Sequence, residues 1–594
     1  MSTKMKENAE RKKASYEVAK PVEAKKSSFQ FIPNLINYDD TRKKLDWVKI
    51  KKEFDWYKTK KVNMAHEAID RHANSWRKNK VALYYMDETR FEKYTFLEMK
   101  KMSNKFANVL RKYKIGKEER VFLFMPRSPE LYFSLIGILK VGAIPAPLFE
   151  AFMSEAVKDR VADAEGIAII TIPKMRDRIP TDQLPSLKHI FLVDAKGQQM
   201  ELNEIDWDTE MEQASTKLDE MTWLGLEDPL ILHYTSGSTG KPKGVVHVQN
   251  AMIGHIMTGR WVLDFHEEDI YWCTSDPGWV TGTSYGIFAP WLNGVSNVIR
   301  GGRFDPDKWY WTIERLGISI WYSAPTAFRL LMGAGVDIPK RYDLSSLRYI
   351  CSVGEPLNPE VIRWGWKAFD GRTIHENWWM TETGHQLIAN YPSLEVRLGS
   401  MGKPIPGVEA AILDDNGRPL GPLQIGNLCI KKGWPGMMRQ IWKNPKKFKS
   451  YFKFDPYFIS GDSAHMDEDG YFWFHGRIDD VIKTSGERVG PFEVESKLLE
   501  HPAIAQAGVI GKPDPIRGEI IKAFIALRKG YEPSENLKKD IMTFVKKNLA
   551  AHMVPREIEF KPDLPRTRSG KIMRRVLKAW ELGLPTGDLS TLEE

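Results

Sequence analysis

The stretch Tyr234–Val245 reads YTSGSTGKPKGV and follows the apolar run PLILH. Glycine lets a backbone approach a ligand closely, hydroxyls and amides donate hydrogen bonds, and lysine supplies charge. Those are the requirements of a polyphosphate cradle. The nucleotide loop G-x-x-x-x-G-K-[ST] is not what is written here: Thr235 stands where the first glycine is needed, and Lys241 is followed by Pro242. The candidate phosphate contacts are Thr235, Ser236, Gly237, Ser238, Thr239, Gly240, Lys241 and Lys243. Further along, the Asp462 carboxylate has the lone pairs to accept two neighbouring hydroxyls at once. Glu382 in WWMTETG is a hard oxygen ligand suited to magnesium. Lys571 stands in the basic run RTRSGKIMRR near the end of the sequence.

Each residue has an ordinary reading beside this one. A lone Gly/Ser loop is a flexible connector, Trp378 and Trp379 suit a core, and Asp462, with Asp467 and Asp469, suits a turn. Lys571 would serve equally at the start of a basic helix. The case for a site is their joint occurrence.

The elements that must hold these residues follow from periodicity. From about Thr95, helix-period and strand-like segments alternate: TFLEMKKMSNKFANVLRKY is helical, RVFLFMP a strand, PELYFSLIGILKVG helical, and AIPAP and GIAIITIP strands. This rhythm predicts an α/β fold of parallel sheets covered by helices. LRYICSVGEPLNPEVIRWGWKAF repeats the grammar, with Asn358 as cap and Pro359 in the first turn of a helix. Ligands lie beyond the carboxyl ends of parallel strands, so the loops beginning at Thr235, Gly354 and Glu376 are expected to converge there. SAHMDEDGYFWFHGR is a hairpin turning at Asp469-Gly470. Beyond it lies a smaller α+β unit.

Bulk properties narrow the function. A chain of 594 residues exceeds one core and divides into domains. Its composition, 42% hydrophobic and 28% charged, is that of a globular protein, and no run reaches the ~18 apolar residues of a membrane span. Cys273, Cys351 and Cys429 are far apart, which excludes a disulfide framework or zinc site and predicts a reducing compartment. A net charge of +9 admits nucleic acid, but no Arg/Lys-aromatic RNA signature accompanies it; anionic small molecules are the expected partners, with neither nucleic acid nor membrane. The lysine-rich first ~30 residues lack an apolar signal core, and Glu7, Glu10, Glu17 and Glu23 argue against a mitochondrial presequence. They read as a mobile tail on a cytoplasmic protein.

Six motifs in order carry a family resemblance: YTSGSTGKPKG; GEP at Gly354, Glu355 and Pro356; WWMTETG; SGD at Asp462; GRIDD; and RTRSGKIMRR. The set resembles the adenylate-forming superfamily of acyl-CoA synthetases, peptide-synthetase adenylation domains and luciferases, and within it the AMP-forming acetyl-CoA synthetases. The resemblance implies a large N-terminal domain of parallel-rich sheets plus a distorted β-barrel subdomain over residues 47–476. It further implies an N-terminal extension over 1–46, a hinge at 477–480 centred on Asp479, and a small mobile α+β lid over 481–594. ATP, CoA and Mg2+ are the implied cofactors. The implied nucleotide contacts extend the phosphate loop with Gly354, Glu355, Pro356, Glu376, Asn377, Trp378, Trp379, Met380, Thr381, Asp462, Arg477 and Arg488. Thr381 would touch the α-phosphate, and Lys571, with Thr381 and Glu382, would be catalytic.

DPGWVTGTSYGIFAPWLNGV is similar to that family's acyl-pocket segment. By the resemblance, Val280, Thr281, Val353 and Trp379 line the pocket, and the Trp379 indole ends it after one or two carbons, favouring acetate over propionate. CoA would be met by Thr281, Ala324, Ser485, Gly486 and Lys546. A magnesium ion held by Leu499, His501 and Ile504 is also implied, as are a lysine acetyltransferase and deacetylase acting on Lys571. This chain departs from the pattern at Glu376-Asn377, where the family commonly has Asp-Thr, at Met380 in place of glutamine, and at Glu487 in place of histidine. Glu376 is expected to keep its charge and Asn377 to bond adenine. A ligase for longer acids and a nucleotide-binding protein without catalysis remain the alternatives.

Overall fold

Helices and strands form where periodicity places them. Thr95 caps the helix Phe96–Lys112 reciprocally with Glu98: each side chain accepts the other residue's backbone N–H, at 3.2 and 2.8 Å. The computed structural model describes residues 32–235, 242–484, 487–549, 551–567, 572–586 and 589, with backbone alone at 487 and 488.

A first sheet is parallel throughout, in the order Ile144–Pro147, Arg120–Leu123, Ala168–Thr171, His189–Leu192, Glu204–Asp206. Helices on its faces leave its central strands fully buried, which is why AIIT has no polar alternation. The helix Pro129–Lys140 is buried through its last turn, and the Lys140 ammonium is tolerated there because Asp70 and Asn104 each receive a hydrogen bond at 2.7 Å.

A second, thirteen-stranded sheet carries the site. Five neighbouring pairs are parallel, linking Val81–Met86, Ser296–Arg300, Ile270–Cys273, Ile320–Ser323, Tyr349–Ser352 and Ile374–Trp378. The pairing then reverses. Ile374–Trp378 is antiparallel to Ile388–Ala389, and the sheet continues antiparallel through Ser400–Pro404, Phe472–Arg477, Tyr457–Met466, Gly426–Lys431 and Ala410–Leu413. The hairpin at Asp469-Gly470 is formed, with Gly470 at φ +82°.

Two expectations change. Pro229–Thr235 is not a strand of a parallel sheet: it pairs antiparallel with Lys243–Val248, so that Thr235 faces Lys243 across a hairpin. An apolar run alone does not reveal its partner, and here the partner is the GVVHV that follows the loop. Glu376 does not begin a loop either; it lies inside the strand Ile374–Trp378, which ends at the first tryptophan of the pair.

The C-terminal sheet unites Glu487–Val489, Ile482–Thr484, Gly518–Leu527, Ile504–Asp514 and Glu557–Phe560, covered by the helices Pro491–Leu499, Glu535–Asn548 and Arg574–Leu582. It has its own core, including Val494, Leu498, Val509, Ile521 and Ile541. At the seam with the large sheet, Asn358 Nδ2 donates to Ser496 Oγ at 2.8 Å, and His475 approaches Glu493 at 3.5 Å. At the other end of the chain, Tyr38 is buried and donates to the Pro404 carbonyl at 2.6 Å, fixing the extension on the large body. Among the described residues, no helix is long and apolar enough to cross a membrane.

Candidate active site

The strand Ile374–Trp378 lies where the parallel half of the sheet meets the antiparallel half, and its successive side chains alternate between two sides. On one side, Trp378 Nε1 donates to Asp462 Oδ2 at 2.8 Å. Asp462 Oδ1 takes a second bond from Arg477 at 2.7 Å, its partner across the hairpin. Asp462 is 6% exposed, and its carboxylate, with four lone-pair sites, retains acceptor capacity while fixed from two directions. Burial works against the Arg477 charge, but Asp462, Glu382 and Asp480 outweigh it and hold the guanidinium pKa above its usual value.

Next along the chain, Met380 caps a short turn at Thr381–Thr383, where Thr383 Oγ1 accepts the Met380 N–H at 3.0 Å. Gly384 ends the turn at φ +76°; a Cβ there would lie 2.2 Å from the Gly436 carbonyl and 2.9 Å from the His247 ring. His247 Nε2 meets the Thr381 carbonyl at 2.7 Å and His255 Nε2 the Gly384 carbonyl at 2.9 Å, so the turn is held at both ends. Burial pushes these imidazoles down, His247 to about 4 and His255 to about 3, and both are neutral at pH 7. Glu382 is buried and accepts from the Tyr451 hydroxyl at 2.8 Å. Lys243 stands within electrostatic reach: burial and Lys447 lower its pKa, Glu382 opposes them, and Arg477 adds to the lowering. A cleft of about 370 Å³ lined by Lys243, Gly244, Trp442, Lys443 and Lys447 opens beside these groups. Three lysines, Lys243, Lys443 and Lys447, against one carboxylate, Asp163, give the cleft a positive lining.

The GEP loop lies close by. Gly354 adopts φ +101°, Glu355 accepts from Thr326 at 2.6 Å and pairs with Arg329, and the Leu357 N–H donates to Glu376 Oε1 at 2.9 Å. Glu376 does not keep the charge expected of it. Burial raises its pKa to about 8, with the Leu357 N–H opposing, and Oε2 has no partner, so the carboxyl is mostly protonated at pH 7.

On the other side of the strand, Trp379 packs among Tyr285, Tyr322, Cys273, Cys351 and Val353, with Val280 at the margin. Thr281 follows Val280 in the turn of helix Val280–Thr283. Ala324 follows the strand Ile320–Ser323 as the cap of helix Pro325–Ala334. Asn377 turns to this side, its Oδ1 accepting from Tyr322 at 2.8 Å while its Nδ2 has no partner, whereas Trp378 turns to the side of Asp462. Alternation along the strand is the physical reason.

Not every expected residue comes together here. Ser236, Gly237, Ser238, Thr239, Gly240, Lys241, Ser485, Gly486 and Lys571 lie outside the described residues, as does the Arg488 side chain. Lys546 is on the exposed face of helix Glu535–Asn548. Leu499, His501 and Ile504 lie where the helix Pro491–Leu499 passes into the strand Ile504–Asp514; the Ile504 carbonyl accepts from Arg528 Nε at 2.9 Å and the His501 carbonyl from the Ile504 N–H at 3.0 Å, which leaves each a second lone pair. Among the described residues no group of three or more His, Cys, Asp or Glu could hold a metal. Glu382 fits a different arrangement, in which one carboxylate joins phosphate oxygens and water around magnesium.

Residues 69–442 match the AMP-binding enzyme family, and residues 493–571 its C-terminal domain. The chain is 65% identical to the acetyl-coenzyme A synthetase of Bacillus subtilis (strain 168) over 562 residues, 94% of this chain and 98% of that one.

The chain belongs to the AMP-binding enzyme family.

An acetyl-coenzyme A synthetase of Methanothrix thermoacetophila is 40% identical over 90% of this chain and 85% of its own. Among solved structures, an anthranilate CoA ligase in complex with anthranoyl-AMP superposes with a TM-score of 0.81 at 30% identity, covering 90% of this chain and 99% of that one. The Brucella canis acyl-CoA synthetase gives 0.72 at 34%, covering 92% and 99%. In this AMP-binding enzyme several site residues escape motif reading. His247 had a signal, since alternation from Lys243 carries it to the same side of its strand. Tyr451 and Tyr322 had none: they reach Glu382 and Trp379 across 69 and 57 residues.

Proposed function

We propose that this enzyme joins acetate to coenzyme A in two steps. An acetate oxygen attacks the α-phosphorus of ATP, forming acetyl-AMP as pyrophosphate leaves; the CoA thiolate then attacks the acetyl carbon and AMP leaves. The observation that carries this reading is the strand end Trp378-Trp379, with the charged Asp462–Arg477 pair on one side and a buried, largely aromatic cluster around Trp379 on the other. The 65% identity to an acetyl-coenzyme A synthetase supports the acid and the acceptor.

In this reading Asp462 accepts the ribose hydroxyls, Gly354, Glu355 and Pro356 flank adenine, Thr381 meets the α-phosphate, and the loop 235–243 holds the departing phosphates. Magnesium, held by Glu382, supplies charge neutralisation to the phosphates. Lys571 brings a cation between carboxylate and α-phosphate, which lowers their repulsion in the transition state. The C-terminal unit turns about Asp479 between steps, bringing Ser485, Gly486 and Arg488 to the site; Ala324, Thr281 and Lys546 complete the CoA surface. The enzyme works in the cytoplasm, and acetylation of Lys571 removes its charge and stops adenylation.

Exchange of pyrophosphate with ATP, measured over a series of acids, tests the proposal: exchange depends on an acid and is fastest with acetate. A best rate on butyrate or longer would overturn the substrate, and exchange independent of any acid would overturn the reaction. Lys571→Ala abolishes exchange yet leaves thioester formation from supplied acetyl-AMP; loss of both half-reactions would refute the turning C-terminal unit.

A further inference from the structure

The Trp379 indole is held by more than packing. Tyr322, in the strand Ile320–Ser323, is fully buried, and its hydroxyl stands among three side chains. It donates to Asn377 Oδ1 at 2.8 Å and accepts from Gln386 Nε2 at 3.1 Å and Trp379 Nε1 at 3.3 Å. A phenol has one donor and two acceptor lone pairs, so its capacity is filled. Tyr285 presses on the indole edge-on, with ring centroids 5.0 Å apart at 74°. It is braced in turn, because its hydroxyl accepts the Gln386 N–H at 2.8 Å and pairs with Thr258 at 2.7 Å.

We propose that Tyr322 determines acyl-chain specificity as a positioning residue: its hydroxyl locks the Trp379 indole in the orientation that ends the pocket. The ring torsion of a tryptophan is broad, so an indole freed of its N–H partner turns until it finds another acceptor. Loss of the phenol oxygen leaves Asn377 Oδ1, Gln386 Nε2 and the indole N–H without their partner, and Gln386 Oε1, buried and unpartnered, is an acceptor to which a freed indole can turn. The chain-length limit thus depends on a hydrogen bond one layer behind the wall that imposes it. Asn377, which departs from the family pattern, gains a role as the acceptor that orients the phenol. The inference rests on Trp379 ending the acyl pocket.

Kinetics of pyrophosphate exchange with acetate, propionate and butyrate test it on Tyr322→Phe, Asn377→Leu and Trp379→Gly. An apolar pocket discriminates about 10- to 200-fold per methylene, and a loosened wall returns part of that. Tyr322→Phe raises the propionate-to-acetate ratio of kcat/KM about 5- to 10-fold while the KM for ATP moves less than about twofold. Asn377→Leu, which also removes the unpaired buried Nδ2, shifts the ratio in the same direction by about half as much on a logarithmic scale, and carries the test should Tyr322→Phe fail to fold. If Trp379→Gly lengthens the preferred acid while both other variants keep the wild-type ratio, Tyr322 is only a core tyrosine and the proposal is wrong. If Trp379→Gly itself leaves the preference unchanged, the error lies in the pocket assignment.

Discussion

The strand Ile374–Trp378 serves two sides that are built by different means. On the side proposed for the nucleotide, charge meets charge: Trp378 and Arg477 grip the Asp462 carboxylate, and Lys243 and Arg477 lie within the field of Glu382. On the side proposed for the acyl group, the contacts are aromatic rings and neutral hydroxyls around Trp379. A side that must recognise hydroxyls and phosphates needs oriented acceptors and cations, whose loss leaves partners unpaired. A side that must measure an alkyl chain needs only a rigid shape, and discriminates more weakly.

If that division is right, the largest effect comes from the charged side. Asp462→Ala removes a charged acceptor of two hydroxyls, each bond worth about 1.5–3 kcal/mol, and lowers kcat/KM for ATP about 10³-fold with the order of acids unchanged. An altered acid order would break the separation of the two sides. Trp379→Gly gives the converse: the propionate-to-acetate ratio rises about 10- to 100-fold in the exchange assay, with the KM for ATP nearly constant. Trp378→Phe is a finer cut, since it removes one donor to Asp462 and leaves the neighbouring indole. It raises the KM for ATP about tenfold and spares acid preference; equal effects on both would mean that the tryptophans act as one unit.

The smallest effect concerns Glu376. Its folded pKa is about 8, against an ordinary 4.5. Between those values the folded chain binds more protons than the unfolded one, so this group's contribution to stability is full below pH 4.5 and lost as pH rises to 8. Glu376→Gln therefore flattens the fall of Tm with pH in that window by a few degrees. Parallel Tm curves for the two proteins would show that the carboxyl is ionised in the fold.

How much of this could be read without a structure follows a single line. The helix start at Pro359, the Asp469-Gly470 turn and the alternation of helix and strand were legible, because each is decided within a few residues; Asn358 stands at the expected cap position, but its side chain bonds Ser496 instead of the helix backbone. The candidate residues Asp462, Arg477, Thr381, Glu382 and Trp379 were legible as motifs, and the fold gathers them around one strand end. The partner of Pro229–Thr235 was not, since an apolar strand fits a parallel or an antiparallel neighbour equally well. Nor was the charge of Glu376, because a carboxyl's pKa depends on what surrounds it rather than on its neighbours in sequence.

The sequence by itself determined which chemical groups are present, where the chain turns, and the order in which strands and helices follow. Only the tertiary structure decided which side of the strand each of Glu376, Asn377, Trp378 and Trp379 serves, and which distant side chains hold them. Local propensities act over a turn or two of chain, whereas Asp462 meets Trp378 across 84 residues and Tyr322 meets Trp379 across 57. Such pairs exist only once the sheet has closed around them, and burial then gives each bond its worth.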